Sequence, residues 1–221
     1  MKPLVLVCAS EEWNTTKSHF AATPESTGET PFGEFFETAV GKQSVIFMRT
    51  GFTKTKAAAA CQHGIDRFKP SIVFNIGTCG AVSSALKPLD LILATKTVQH
   101  DCRDNIGQQV GPFLADLVVE IDNSWLGSID GVTRGVIATA DHDGTAEDVA
   151  LLREHSVLAV DWESGAIAKI CAMNKVRCCI IRGATDHLDQ IASQTSDYLQ
   201  NVPNVMRKAY QRVLPVLLGR I

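Results

Sequence analysis

The chain lacks any stretch approaching the roughly 18 consecutive apolar residues that a membrane-spanning helix requires. It lacks a long basic run as well, and its net charge is only −3. Both facts argue against nucleic acid or an anionic membrane as partner. None of the seven cysteines forms a C-x-x-C pair, and none of the six histidines belongs to an H-E-x-x-H cluster. Cys8, Cys61, Cys79, Cys102, Cys171, Cys178 and Cys179 sit mostly among apolar neighbours. That is the pattern of reduced thiols, not of a disulfide framework or zinc site, so no structural metal is expected. Met1 to Cys8 is too short for a secretory leader and gives way at once to Glu11-Glu12, so the expected compartment is the cytoplasm. Repeats, low-complexity tracts and linkers are missing too, which leaves a single domain over residues 1–221.

What remains is an ordinary globular composition, 45% hydrophobic and 20% charged, in a chain long enough for a large core. Apolar runs alternate with helical patterns. Leu4–Cys8, Ser71–Ile76, Leu89–Val98, Gly135–Thr139 and Cys178–Ile181 read as strands, and Gly33–Val40 and Ser44–Arg49 as a pair joined by a Gly-Lys-Gln turn. Glu11–Phe20, Thr53–Arg67, Thr145–Glu154 and Ser164–Asn174 read as helices, and Ala22–Pro31 as a polar turn region. Pro203 to Leu218 carries an apolar stripe, with Pro203 in the helix's first turn and Pro215 kinking its end. The class is therefore α/β: a three-layer sandwich with a mixed, mostly parallel central sheet.

Three segments concentrate polar chemistry at predicted strand ends. Cys178 to Ile181, four apolar residues in a row, runs into Arg182 and ends at Asp186, where an open α/β sheet places its ligand crevice. Val160-Asp-Trp-Glu163 also ends in a carboxylate. Simple structural duties are available to both acids: Asp186 could cap the next helix, and Glu163 could sit at a helix's positive end. Asn75-Ile-Gly-Thr-Cys-Gly-Ala81 reads as a glycine turn after a strand, with Thr78, Cys79 and Gly80 able to line an oxygen-rich site. It is neither a P-loop nor a dinucleotide fingerprint. His100-Asp101 reads as an acid–base pair or as a structural strand end.

Taken in order, Phe74–Val82, Val160–Ala166 and Ile180–Asp186 resemble the motifs of the nucleoside phosphorylase superfamily, nearest its methylthioadenosine/adenosylhomocysteine nucleosidase branch. Arg49–Ala59 and Gln99-His-Asp101 add to the resemblance, which spans nearly the whole chain. It implies cleavage of a purine nucleoside's N-glycosidic bond, with no cofactor, in a homodimer. Phosphorylases carry Gly-Asp-Pro-x-Arg after the first strand, where this chain has Cys8-Ala-Ser-Glu-Glu12, and an arginine where it has Asn75. Water is therefore the expected nucleophile, because a carboxylate repels phosphate but accepts a proton from water.

By the same resemblance, Glu12 would activate the water, although a one-residue slip would put Glu11 there. Asp186 would protonate the leaving purine, which requires a raised pKa. Glu163 would bind the ribose hydroxyls, while Arg182 and Thr78 would position the water and Glu12. Val160 and Trp162 would line the sugar site, and Trp162 stands where the nucleosidases commonly have methionine. Ala140-Asp-His-Asp-Gly144 carries Asp143 where they have a base-stacking phenylalanine, so His142 or Asp143 would make polar contacts to the base. Cys102 to Phe113 is shorter than usual, in the region where a partner subunit would close the site. The rival readings are a phosphorylase using Arg49 or Arg182 as anion ligand, and a nucleoside-binding or storage protein without turnover.

Overall fold

A computed structural model of the chain describes residues 1–22, 26–102, 115–188 and 194–221. Strand β1 (Leu4–Val7) shows how the layers form, because all four of its side chains are buried. Strand geometry sends alternate residues to opposite faces. Leu4 and Leu6 pack on one side with Ala57, Ala60 and Cys61 of α2 (Lys54–Phe68) and Ile167 of α4 (Ser164–Met173). On the other side, Val5 and Val7 meet Trp13 of α1 (Ser10–His19) and Val202, Val205 and Met206 of α5 (Gln194–Lys208). Ala57 and Ala60 of α2 are fully buried, and their small side chains bring that helix close to the sheet.

β5 (Val73–Ala81) is the centre of the sheet. It pairs in parallel with β1 and with β10 (Cys178–His187), and its far end pairs antiparallel with β9 (Val157–Asp161). β10 is joined antiparallel to β6 (Leu91–Gln99), and parallel pairs then run from β6 to β8 (Val132–Thr139) and from β8 to β9. These contacts close a ring of strands, β5-β10-β6-β8-β9. Beyond β1 the sheet continues through β4 (Gln43–Arg49), β3 (Gly33–Val40) and β2 (Thr27–Thr30), while β7 (Val118–Glu120) adds to β6. The mixed sheet between helical layers agrees with the expected class.

Some local readings change. Asn75–Ala81 is not a turn but the second half of β5, kept extended by parallel pairing with β10 along its whole length. The polar segment Ala22–Pro31 contains β2, because Thr27 to Thr30 pair with Phe36 to Gly33. The last long helix starts at Gln194, so Pro203 lies inside α5 and not in its first turn. Its apolar stripe extends upstream through Val202 to Tyr198, and that burial outweighs the backbone hydrogen bond lost at proline. The chain then passes through a π-helical turn, Ala209–Val213, into α6 (Leu214–Leu218), where Pro215 occupies the first turn. A proline beside a π-turn is a recognised cause of a kink. The segment Cys102 to Phe113, expected to be shorter than usual, lies, apart from Cys102, outside the described residues.

Tight packing of α5 on the sheet rests on Gly183 of β10, where an added Cβ would lie 2.4 Å from Val205 Cβ. Gly183→Ala should therefore push α5 outwards and cost about 1–3 kcal/mol. At roughly 2–4 °C per kcal/mol for a chain of this size, thermal denaturation should show a drop of several degrees. An unchanged midpoint would contradict this packing.

Candidate active site

The C-terminal ends of β5, β9 and β10 and the N-terminus of α1 converge on a cavity of about 610 Å³. Its wall includes Glu12, Thr78, Cys79, Gly80, Asp143, Val160, Trp162, Glu163 and Asp186, so nearly every site residue expected from sequence is brought together. Arg182 is the exception. It lies behind the wall, 1% exposed, and does not line the cavity.

Glu12 stands at the third position of α1 and reaches back over the helix's first turn. Oε2 accepts from the backbone N–H of Ala9 at 3.0 Å and of Cys8 at 3.3 Å. Oε1 accepts from the backbone N–H of Thr78 at 2.6 Å and from its hydroxyl at 2.8 Å. All these partners are donors, the set a carboxylate accepts, and the free N–H groups of a helix start favour negative charge there. Glu12 is buried and Glu11 exposed, so the inward carboxylate is that of Glu12. Thr78 thus holds Glu12, as expected, but from a strand. Gly77 beneath them has no alternative, because a Cβ there would lie 2.9 Å from Glu12 Oε1 and 3.0 Å from Arg182 Nη1.

Glu163 occupies the N-cap position of α4, yet its side chain does not cap the helix. Asp161 does so instead: Asp161 Oδ1 accepts from the backbone N–H of Ser164 at 3.2 Å and of Glu163 at 3.3 Å, and from the Thr139 hydroxyl at 2.7 Å. Glu163 is thereby left to turn into the cavity, where it accepts from the backbone N–H of Thr53. Thr53 has φ +84°, a conformation rare for a β-branched residue and the kind of strain found at functional sites. Burial, reinforced by the nearby Asp161 and Glu12 carboxylates, pushes the Glu163 carboxyl up to about 8. Asp161 was not among the residues picked out by sequence. Its other oxygen accepts from Arg182 Nε at 2.6 Å, and Arg182 Nη2 donates to Asn75 Oδ1. The arginine thus belongs to a buried framework behind the wall, while its Nη1, like Glu12 Oε1, comes within 3.0 Å of where a Gly77 Cβ would lie.

Asp186 lies inside β10. The register between β10 and β5 slips at Thr185: Ala184 pairs with Cys79 and Asp186 with Gly80. Such a bulge re-aims the residue that follows it. Thr185 donates its hydroxyl to Asp186 Oδ1. Across the strand pair, a Cβ on Gly80 would lie 3.9 Å from Asp186 Oδ2 and 2.9 Å from Leu188 Cδ2, so glycine keeps that wall open.

Aromatic surface, missing at Asp143, comes from elsewhere. Trp162 and Phe52 flank the cavity with ring centroids 6.2 Å apart. Phe52 is 54% exposed, an unusual position for a phenylalanine unless a ligand covers it. Tyr198 of α5 also lines the cavity and is hydrogen-bonded to the Thr78 side chain; burial and the carboxylates Glu12, Glu11 and Glu163 hold its hydroxyl well above the usual range. Neither Phe52, between Gly51 and Thr53, nor Tyr198, in a polar stretch of α5, carried a sequence signal. Asp101, expected to pair with His100, is held instead by Lys54 Nζ at 2.5 Å and the Asp141 N–H at 2.9 Å.

The raised Glu163 group makes the ligand-free protein sensitive to pH. The folded state keeps a proton that the unfolded chain releases near pH 4.3, so stability should fall as pH rises from there through about 8. The slope is at most about 1.4 kcal/mol per pH unit. Glu163→Gln should flatten it, so melting temperatures measured from acid to mildly alkaline pH should show the variant gaining on wild type as pH increases. Parallel profiles would place the raised group elsewhere.

Comparison with known proteins agrees with this architecture. Residues 3–219 match the family model described as the phosphorylase superfamily. A 5′-methylthioadenosine/S-adenosylhomocysteine nucleosidase from Anoxybacillus flavithermus is 26% identical over 200 residues, 79% of this chain and 86% of the relative. Among solved structures, the Streptococcus pneumoniae MTA/SAH nucleosidase complexed with 8-aminoadenine superposes with a TM-score of 0.87 at 20% identity over the full length of both chains. The Helicobacter pylori futalosine hydrolase gives 0.81 at 20% identity, covering 99% of this chain and 98% of that one. With nearly the whole chain inside the family model, this protein belongs to the phosphorylase superfamily.

Proposed function

We propose that the protein hydrolyses the N-glycosidic bond of a purine ribonucleoside of the methylthioadenosine or adenosylhomocysteine type, releasing free base and ribosyl sugar. The observation that carries this reading is the charge of the wall. Among the described residues it contains Glu11, Glu12, Asp143, Asp161, Glu163 and Asp186, and neither lysine nor arginine. Such a wall repels phosphate and favours a substrate that develops positive charge. Arg182 is bound to Asp161 and Asn75, and Arg49 donates to the Ser10 hydroxyl at 2.7 Å, so neither supports the phosphate-using alternative.

The steps follow from where the groups stand. Water attacks the anomeric carbon and gives a proton to Glu12, which Thr78 and the α1 amides hold in place. The bond to the base breaks, its electron pair leaves with the purine, and Asp186 supplies a proton to the ring nitrogen. Glu163 bonds the ribose hydroxyls, and the positive charge building on the sugar is met by surrounding carboxylates. Trp162 and Val160 pack against the sugar, Phe52 offers apolar surface, and Cys79 and Gly80 shape the floor. His142 or Asp143 makes polar contacts to the base. The reading includes a homodimer working in the cytoplasm, on the strength of the family resemblance and of seven cysteines that are all free.

The test is base release from methylthioadenosine, adenosylhomocysteine, adenosine and inosine, with and without phosphate. Release should be indifferent to phosphate and fall about 10²–10⁴-fold in Asp186→Asn, the usual range for loss of a general acid. Glu12→Gln should lose turnover while still binding a non-cleavable nucleoside analogue. Strict phosphate dependence would move the protein to the phosphorylases, and tight binding without turnover would make it a binding protein.

A further inference from the structure

At the rim of the cavity, three residues distant in sequence come together with no motif to announce them. His100 follows β6, His142 lies in the loop after β8, and Asp148 is in α3 (Ala146–Glu154). One ligand-capable atom from each lies within 4.8 Å of the others. We propose that His100, His142 and Asp148 bind a divalent transition-metal ion of the zinc type.

His100 is the main reason. Its side chain is 1% exposed, and among the described residues neither ring nitrogen has a hydrogen-bond partner. A buried polar atom without a partner is costly, and imidazole nitrogen is the commonest metal ligand. Burial lowers the His100 pKa, which favours the neutral ring with a lone pair to give. Asp148 is oriented to complement it. Its Oδ2 accepts from the Thr145 N–H at 2.9 Å and the Thr145 hydroxyl at 2.7 Å, while Oδ1 faces His100 Nδ1 at 3.9 Å. A ligand carboxylate fixed by hydrogen bonds from behind is the usual outer-shell arrangement of a metal site.

His142 supplies the movable arm. Its side chain is 43% exposed, with Nδ1 3.9 Å from Asp148 Oδ2 and 2.9 Å from the carbonyl of Asp143. Ligand atoms about 2.0–2.2 Å from a tetrahedral ion stand closer together than those of this cluster, so a half-exposed ring must swing in and exchange its carbonyl contact for the metal. Two imidazoles and one carboxylate suit zinc, cobalt or nickel better than magnesium or calcium. Of the other charged groups near His100, Asp101 is occupied by Lys54 and by the Asp141 N–H, leaving three protein ligands among the described residues. His142 also lines the cavity. Bound metal would tie the 141–144 loop to β6 and α3.

The experiment titrates chelator-treated full-length protein with zinc chloride by calorimetry and with cobalt chloride by visible absorption. One ion per chain is expected, with cobalt d–d bands and no thiolate charge-transfer band. His142→Ala and His100→Gln should each weaken zinc binding at least about tenfold, whereas Cys102→Ser should leave it unchanged. Melting temperatures of the metal-free variants check folding, and the exposed position of His142 makes that variant the decisive one. Absence of saturable binding at millimolar zinc, affinity indifferent to His142→Ala, or loss of binding in Cys102→Ser would each overturn the site. These readouts are of metal bound, so they stand apart from any result on base release.

Discussion

The buried ion pair between Arg182 and Asp161 is the interaction on which the rest of the molecule depends. The two side chains are 1% and 2% exposed and meet at 2.6 Å. Around them, Asn75 takes the other arm of the guanidinium and Thr139 donates to the carboxylate, so β10, β9, β5 and β8 are joined inside the ring by polar contacts. Removing charges from water is expensive, and such a pair holds only when its remaining donors and acceptors are filled. Breaking it from one side typically costs about 3–5 kcal/mol because the surviving charge is stranded. The pair also shapes the cavity: with Asp161 capping α4, Glu163 can face inwards.

Two buried glutamates show how environment divides labour. Glu12 is surrounded by backbone and hydroxyl donors at a helix start, while Glu163 accepts one backbone N–H and faces other carboxylates. The first arrangement favours negative charge and the second resists it. A buried carboxyl held protonated beside other acids in one pocket is a common signature of acid–base and charge-stabilising chemistry. Arg182, hidden behind the wall, moderates the mutual repulsion of these acids without itself offering an anion a place to bind.

Much of this was legible in the chain. Runs such as Leu4–Val7 and Cys178–Ile181 announce strands buried on both faces, and carboxylates at strand ends mark the crevice. What sequence could not carry is geometry that depends on tertiary pairing. The stretch Asn75–Ala81 looks like a turn because of its glycines, yet parallel pairing with β10 makes it a strand and turns the glycines into sites of close approach. Pro203 looks like a helix start, and only the buried stripe running back to Tyr198 shows otherwise. Arg182 reads as a site residue because it precedes Asp186, but the bulge at Thr185 separates the two and the waiting Asp161 draws the arginine inwards. Asp161, flanked by more conspicuous neighbours, carried no signal of its own, and neither did Phe52 or Tyr198.

The closed ring of strands has a consequence for how the protein behaves in company. An open sheet ends in long rows of unpaired backbone groups that can template pairing with another molecule. Here β5, β10, β6, β8 and β9 satisfy one another in a circle, and among the described residues the sheet ends at β2, four residues long, and at β7, three residues long. Glu29 within β2 and Glu120 at the end of β7 add charge to these short borders. The chain can therefore keep a very apolar sheet interior without offering a neighbour an adhesive rim, which guards it against strand exchange and fibrous self-association.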